Sequence, residues 1–120
     1  MFTESNWPRW VADRLWAPEL HLVNGQYRVY YTGGGTDGRL SSGVAVATTS
    51  DPFGPYKDLG GAMAESPGSL GGAIDPHYFH DPLTDKDYLL WKEDRPLSLQ
   101  ASLIYIRELE PSGTAFRVSS

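Results

Sequence analysis

Leu20-His21-Leu22-Val23-Asn24-Gly25-Gln26-Tyr27-Arg28-Val29-Tyr30-Tyr31-Thr32 decides the fold. Two runs of β-formers flank Asn-Gly, the pair that takes positive φ at both turn positions and so folds a strand back on its neighbour. Working outward, the same grammar repeats. Gly33-Gly34-Gly35 opens a flexible loop to Ser42, and Val44 to Thr49 is a third strand of small residues. Asp51-Pro52-Phe53-Gly54-Pro55 is a turn, and Tyr56 to Leu59 a short outer strand. Beyond a Gly, Ala, Ser and Pro-rich stretch the order returns. His77 to His80, Tyr88 to Lys92 and Ser102 to Leu109 read as strands, with a loop through Arg95-Pro96. Glu110-Pro111-Ser112-Gly113 is a turn, and Phe116 to Val118 closes the unit. Every apolar segment is short and ends at Gly, Pro, Asn or Asp, so no helix is expected.

The two halves correspond. Asp51-Pro52-Phe53-Gly54 matches Glu110-Pro111-Ser112-Gly113 at an offset of 59 (110 − 51), and Tyr27 matches Tyr88 at 61 (88 − 27). Units of this period with four strands read as β-propeller blades. The fold expected is therefore all-β: about two four-stranded antiparallel blades of a propeller. Residues 1–18 form an opening loop with aromatic anchors, 19–59 a blade, 60–73 a linker and 74–118 a second blade. Two blades leave open edges and cannot close a ring. The abrupt Trp-rich start is read as that of a truncated piece, whose partners are the remaining blades of its own chain or further copies of itself.

The 120 residues include 40% hydrophobic and 12% aromatic residues, enough to fold. Ten basic against 15 acidic residues give −5, with no basic cluster, which argues against a nucleic-acid partner. No apolar run is long enough to span a membrane, so no membrane partner is expected. There is no cysteine, hence no disulfide and no thiolate site. His21, His77 and His80 lack metal-ligand spacing, and Gly33-Gly34-Gly35 lacks the Lys and helix of a phosphate loop. No metal and no cofactor is expected.

The stretch that carries chemistry is Gly71-Gly72-Ala73-Ile74-Asp75-Pro76-His77-Tyr78-Phe79. It sets one carboxylate between an apolar residue and a proline at the mouth of a strand. Proline fixes φ and removes a donor, and the glycines permit close packing. Asp75 is then either a turn aspartate bonded to its own backbone or a carboxylate held toward a cleft.

Trp16-Ala17-Pro18-Glu19-Leu20, Gly25 to Tyr31, Gly43 to Lys57, Ala73 to Phe79 and Tyr88 to Asp94 together resemble glycoside hydrolase family 43. The resemblance runs over roughly residues 13 to 118. It implies a five-bladed β-propeller that hydrolyses arabinose- or xylose-containing polysaccharides with inversion. In that chemistry a general base activates water while a general acid protonates the leaving oxygen, the two ~6.5–9.5 Å apart. A third carboxylate, in the Ile-Asp-Pro motif, orients the acid and raises its pKa. By resemblance Asp75 is that third group. The base is expected upstream of the Trp-Ala-Pro-Glu motif and the acid beyond Ser120, so 120 isolated residues are not expected to turn over glycosides. Trp16 is the candidate sugar platform, and Glu19, Ile74 and His77 the other candidate substrate contacts. The family favours an extracellular location. The alternatives are a carbohydrate-binding piece without catalysis, or a propeller portion used for protein association.

Overall fold

A computed structural model describes residues 1–65, 72–94 and 103–118. Residues 66–71 of the expected linker, the Arg95-Pro96 loop and Ser102 lie outside the described residues. The first sheet contains β1 (Val11–Val23), β2 (Gln26–Gly35), β3 (Leu40–Ala47) and β4 (Tyr56–Asp58), antiparallel in that order. The second contains β5 (Gly72–Asp81), β6 (Lys86–Asp94) and β7 (Leu103–Glu108). No helix occurs among the described residues. The hairpin at Asn24-Gly25 has φ of 51° and 77°, the pair of positive values its sequence implies.

The repeat read from the sequence holds at its turns, while in the hairpins the register moves it by one residue. The pair Leu22↔Tyr27 falls on His80↔Asp87, so Tyr27 answers to Asp87 and not to Tyr88. Ala47 pairs with Tyr56 in the first sheet, and Leu109 bridges Phe116 in the second. Both intervening turns close alike: Gly54 N–H donates to Asp51 C=O (3.0 Å) and Gly113 N–H to Glu110 C=O (2.8 Å), each glycine at positive φ. The closing strand expected at Phe116 to Val118 is reduced to that one bridge. Arg117 folds back instead, its N–H on Glu108 C=O and its guanidinium on the Glu108 carboxylate.

Two readings fail at the first sheet. The opening loop ends early, because β1 begins at Val11, inside the stretch expected to be irregular. Gly33-Gly34-Gly35 is not a loop but the end of β2, paired with β1 and β3. The cause is Trp10, whose ring stacks on Tyr31 (5.8 Å between centroids). A Cβ at Gly33 would lie 2.9 Å from that ring and one at Gly43 2.6 Å from it. The glycines make room for an indole rather than for motion.

Two cores result. Tyr30, Val44, Tyr78, Leu89 and Leu109 fill the space between the sheets, with Tyr30 and Tyr78 stacked at 5.8 Å. Val11, Val29, Tyr31, Ala45, Ala47 and Tyr56 form the other, under Phe2 and Trp10. Alternate β2 residues serve opposite faces, as strand periodicity requires.

Candidate active site

Asp75 sits on a β-bulge. Asp75 and Pro76 together oppose one residue of β6, between the pairs Ile74↔Lys92 and His77↔Leu90, and Asp75 has φ 54°. Positive φ is uncommon outside glycine, and Asp tolerates it better than most. The bulge turns the carboxylate out of the ladder: Asp75 is exposed and Pro76 buried. No described residue hydrogen-bonds the Asp75 side chain, so the turn-aspartate reading does not describe it. Its backbone N–H instead reaches across to Thr32 Oγ1 of the first sheet (2.9 Å).

β1 carries the same device. Ala17 and Pro18 oppose one residue of β2, between Trp16↔Thr32 and Glu19↔Tyr30, and Ala17 has φ 48°. An offset of 58 therefore relates Ala17 to Asp75 (75 − 17) and Glu19 to His77 (77 − 19). The two equivalent post-proline residues meet. His77 Nδ1 lies 2.7 Å from Glu19 Oε2, and His21 Nε2 lies 2.7 Å from Glu19 Oε1, with Tyr78 N–H at 3.4 Å from the same oxygen. A carboxylate only accepts, so each imidazole nitrogen facing it carries the proton. That leaves Nε2 of neutral His77 as a lone pair. Burial pushes the Glu19 pKa up, but hydrogen bonds from His21 and His77 and their charge outweigh it, so the group lies below its ordinary value.

Polar bonds between the sheets cluster here, around the strained residue. Besides Thr32 and Glu19, Ser42 donates its hydroxyl to Ala73 C=O (2.9 Å). Thr32 and Ser42 are fully buried. Glu93, paired with Ala73, is buried and accepts from the Tyr105 hydroxyl (3.0 Å). The first sheet thus holds the backbone on either side of Asp75.

Of the five residues picked from sequence, Asp75, His77 and Ile74 share one strand end, and Glu19 joins them through His77. Both Glu19 oxygens are engaged by histidines, although the side chain is 33% exposed. Trp16 stands apart. It is 47% exposed, under the Arg14 guanidinium (5.4 Å), and lines an apolar cavity of about 260 Å³ with Phe2, Leu15, Pro18, Val29 and Tyr31. Val29 and Tyr31 belong to the core on the far side of the first sheet. Sequence reasoning does not single out Thr32 or Ser42, and weighs His21 only as a metal ligand. Only aligning the two halves on their Pro residues brings them forward, through the pairs Thr32/Lys92 and His21/Phe79.

His80 and Asp87 lie at the other end of β5 and β6. Asp87 accepts from His80 Nδ1 (2.6 Å) and from the Tyr78 hydroxyl (2.7 Å). Glu108, also at that end, is held by Lys86 and Arg117. No metal-holding group of three His, Cys, Asp or Glu occurs among the described residues.

Successive antiparallel sheets stacked face to face, each with a bulged inner strand at the same end, are blades of a β-propeller, with a carboxylate on one blade at that end. The family model for glycosyl hydrolases family 43 matches residues 1–119, and the chain belongs to that family. It is 32% identical over 113 residues to arabinan endo-1,5-alpha-L-arabinosidase A of Aspergillus niger, covering 85% of this chain and 35% of that protein. A probable arabinan endo-1,5-alpha-L-arabinosidase A of Neosartorya fischeri is 41% identical over 71 residues, 58% of this chain and 22% of that one. The fold matches an endo-arabinase of Bacteroides thetaiotaomicron with a TM-score of 0.74 at 21% identity, over 99% of this chain and 39% of that chain. A thermostable family-43 glycoside hydrolase gives the same TM-score at 24% identity, over 92% and 35%. The chain thus spans about a fifth to a third of the length of these curated relatives.

Proposed function

We propose that this chain is part of an inverting glycosidase that hydrolyses arabinose- or xylose-containing polysaccharides, with Asp75 as the carboxylate that orients the general acid and raises its pKa. Arabinan is the first polymer to test, because the relatives of 32% and 41% identity are named for it. The observation that carries the reading is the Asp75 bulge: an exposed carboxylate at positive φ, clamped by Thr32 through its own backbone. A charge fixed this way favours protonation of a neighbouring acid without itself moving. Ile74 and His77 flank it as sugar contacts, His77 offering a lone pair to a hydroxyl. Trp16 supplies an aromatic face for a more distant sugar unit. Glu19 acts through His77 rather than by touching sugar.

The test is a segment exchange. Residues 1–118 replace the corresponding stretch of the Aspergillus niger arabinosidase, and the hybrid is assayed on arabinan and on xylan. We expect hydrolysis that Asp75→Asn lowers by about 100-fold or more in kcat, because the general acid loses the charge that orients it and keeps it protonated. The pH profile of the residual activity is expected to lose its high-pH shoulder. A folded, active hybrid indifferent to Asp75→Asn overturns the assignment. The 120-residue chain alone is expected to show no turnover on nitrophenyl arabinofuranoside or xyloside.

A further inference from the structure

Arg9 and Lys57 stand apart from most other cations of the chain. Arg14, Lys86 and Arg117 each face a carboxylate, and Arg107 lies over the Phe116 ring. Among the described residues Arg9 and Lys57 make no ion pair, side-chain hydrogen bond or ring contact. They share one open cavity of about 550 Å³ between residues 5–9 and β4; Arg39 is equally unpaired but lies outside it. The walls of the cavity are tied together. Asn6 Nδ2 donates to Met1 C=O and to Tyr56 C=O, both at 2.9 Å, and Asn6 Oδ1 accepts from Thr3 N–H (2.6 Å). Trp7 Nε1 donates to Val11 C=O (2.8 Å), and Pro8 next to it is fully buried. The polar edge of the indole is therefore satisfied, and Trp7, 42% exposed, offers a ligand its face. Asp58 is the carboxylate of this cavity, and both its oxygens are taken. Oδ1 accepts from the Tyr31 hydroxyl and Trp10 Nε1, and Oδ2 from Gly60 N–H. The wall thus sets two free cations against one engaged anion, in a chain whose net charge is −5.

We propose that this cavity binds an acidic sugar, a hexuronate unit of a polysaccharide, with its ring on Trp7 and its carboxylate between Arg9 and Lys57. Sugar rings lay their C–H faces on aromatic rings, and a guanidinium grips a carboxylate through paired N–H groups. One net positive charge in the wall suits one carboxylate. A phosphomonoester, with about two negative charges, would meet Asp58 with no further cation to offset it. The site is separate from Asp75, because Asp58 bonds Tyr31, which belongs to the core on the far side of the first sheet. It holds an acidic part of the polymer rather than the linkage to be cut. That the anion is a sugar rests on the glycosidase reading; that the ligand is an anion rests on the free cations alone.

The test is calorimetric titration of the 120-residue chain with trigalacturonate, its methyl ester, arabinotriose and inorganic phosphate. We expect trigalacturonate to bind, the two neutral sugars to bind about tenfold more weakly or not at all, and affinity to fall as salt rises. Arg9→Gln combined with Lys57→Gln is expected to weaken binding by about tenfold or more, and Arg39→Gln to leave it unchanged. Arg9 and Lys57 are exposed and unpaired, so the double variant keeps the parent's urea midpoint. Trp7→Ala is expected to weaken binding by about 3- to 10-fold. The proposal fails if trigalacturonate does not bind, if acid and ester bind alike, or if phosphate binds as tightly as trigalacturonate. Equal loss in Arg39→Gln and in the double variant also overturns it. So does binding by the chain but not by the hybrid with the Aspergillus niger arabinosidase, because the preceding part of that protein then fills the cavity. Hydrolysis of neutral arabinan by the hybrid is expected to be unchanged in the double variant, so failure of the uronate site and failure of the glycosidase reading are separately visible.

Discussion

Gly113→Ala tests whether the turn after β7 is shaped around Arg28. Gly113 has φ 70°, and a Cβ there would fall 1.9 Å from Arg28 Nη1, 2.7 Å from its Cζ and 2.9 Å from the Tyr30 hydroxyl. Arg28 is 3% exposed, so the guanidinium has no solvent to retreat into. Its Nη2 donates to Pro111 C=O (3.3 Å) and Tyr30 donates to Gly113 C=O (2.8 Å); both bonds break if the turn lifts. Placing Ala at positive φ costs about 1 kcal/mol. Each buried polar group left without a partner costs about 1–3 kcal/mol more. With both bonds lost the sum is about 3–7 kcal/mol, read as a shift in urea midpoint at constant m-value. Gly25→Ala is the internal reference, because Gly25 has φ 77° but nothing within 4 Å of its Cβ, and it should cost only about 1 kcal/mol. Combining Gly113→Ala with Arg28→Met should recover much of the loss, since a flexible apolar chain can yield where the guanidinium cannot. If Gly113→Ala and Gly25→Ala cost the same, the steric reasoning is wrong and only backbone conformation matters.

Three further outcomes follow from the polar contacts. The Glu19 pKa is lowered from 4.5, so its contribution is present above that value and disappears as pH falls through the lower folded pKa; Glu19→Gln should be less stable than the parent at pH 7 and converge with it in strong acid, seen by denaturation at a series of pH values. His80 is raised above 6.5 mainly by its hydrogen bond to Asp87, so its contribution is full below pH 6.5 and fades as pH rises through the folded pKa; NMR titration should show Asp87→Asn bringing the His80 midpoint down. Thr32→Val removes the acceptor for Asp75 N–H. Amide exchange at Asp75 should quicken by about 10-fold while overall stability drops by about 1 kcal/mol, and unchanged exchange would mean Thr32 does not hold the bulge.

Where local chemistry dictated structure, the sequence was a sufficient guide. Asn24-Gly25 fixed a hairpin, and the paired turns at Asp51 and Glu110 carry the repeat in their residue types. The Ile-Asp-Pro stretch brought Asp75 forward as a candidate, but not its backbone: a following proline favours extended φ, and Asp75 stands at φ 54°. What escaped was set at long range. Val11 to Pro18 lacks strand periodicity because register shifts at Ala12, Arg14 and Ala17-Pro18 scramble the alternation. The glycine run after Thr32 needs Trp10 overhead before it reads as strand. Glu19 offered no sign that one of its oxygens is taken by His77, 58 residues away. That contact is visible only to a reader who superposes the two halves on their prolines.

Ala17 occupies in the first sheet the place that Asp75 occupies in the second, at nearly the same φ (48° and 54°) and before the same residue type. The backbone that aims a side chain away from the ladder is therefore shared by both units, and only one of them carries a carboxylate on it. Geometry and reactivity are separately heritable in such a chain. A duplicated sheet arrives with the mounting already machined, and one codon decides whether anything is fitted to it.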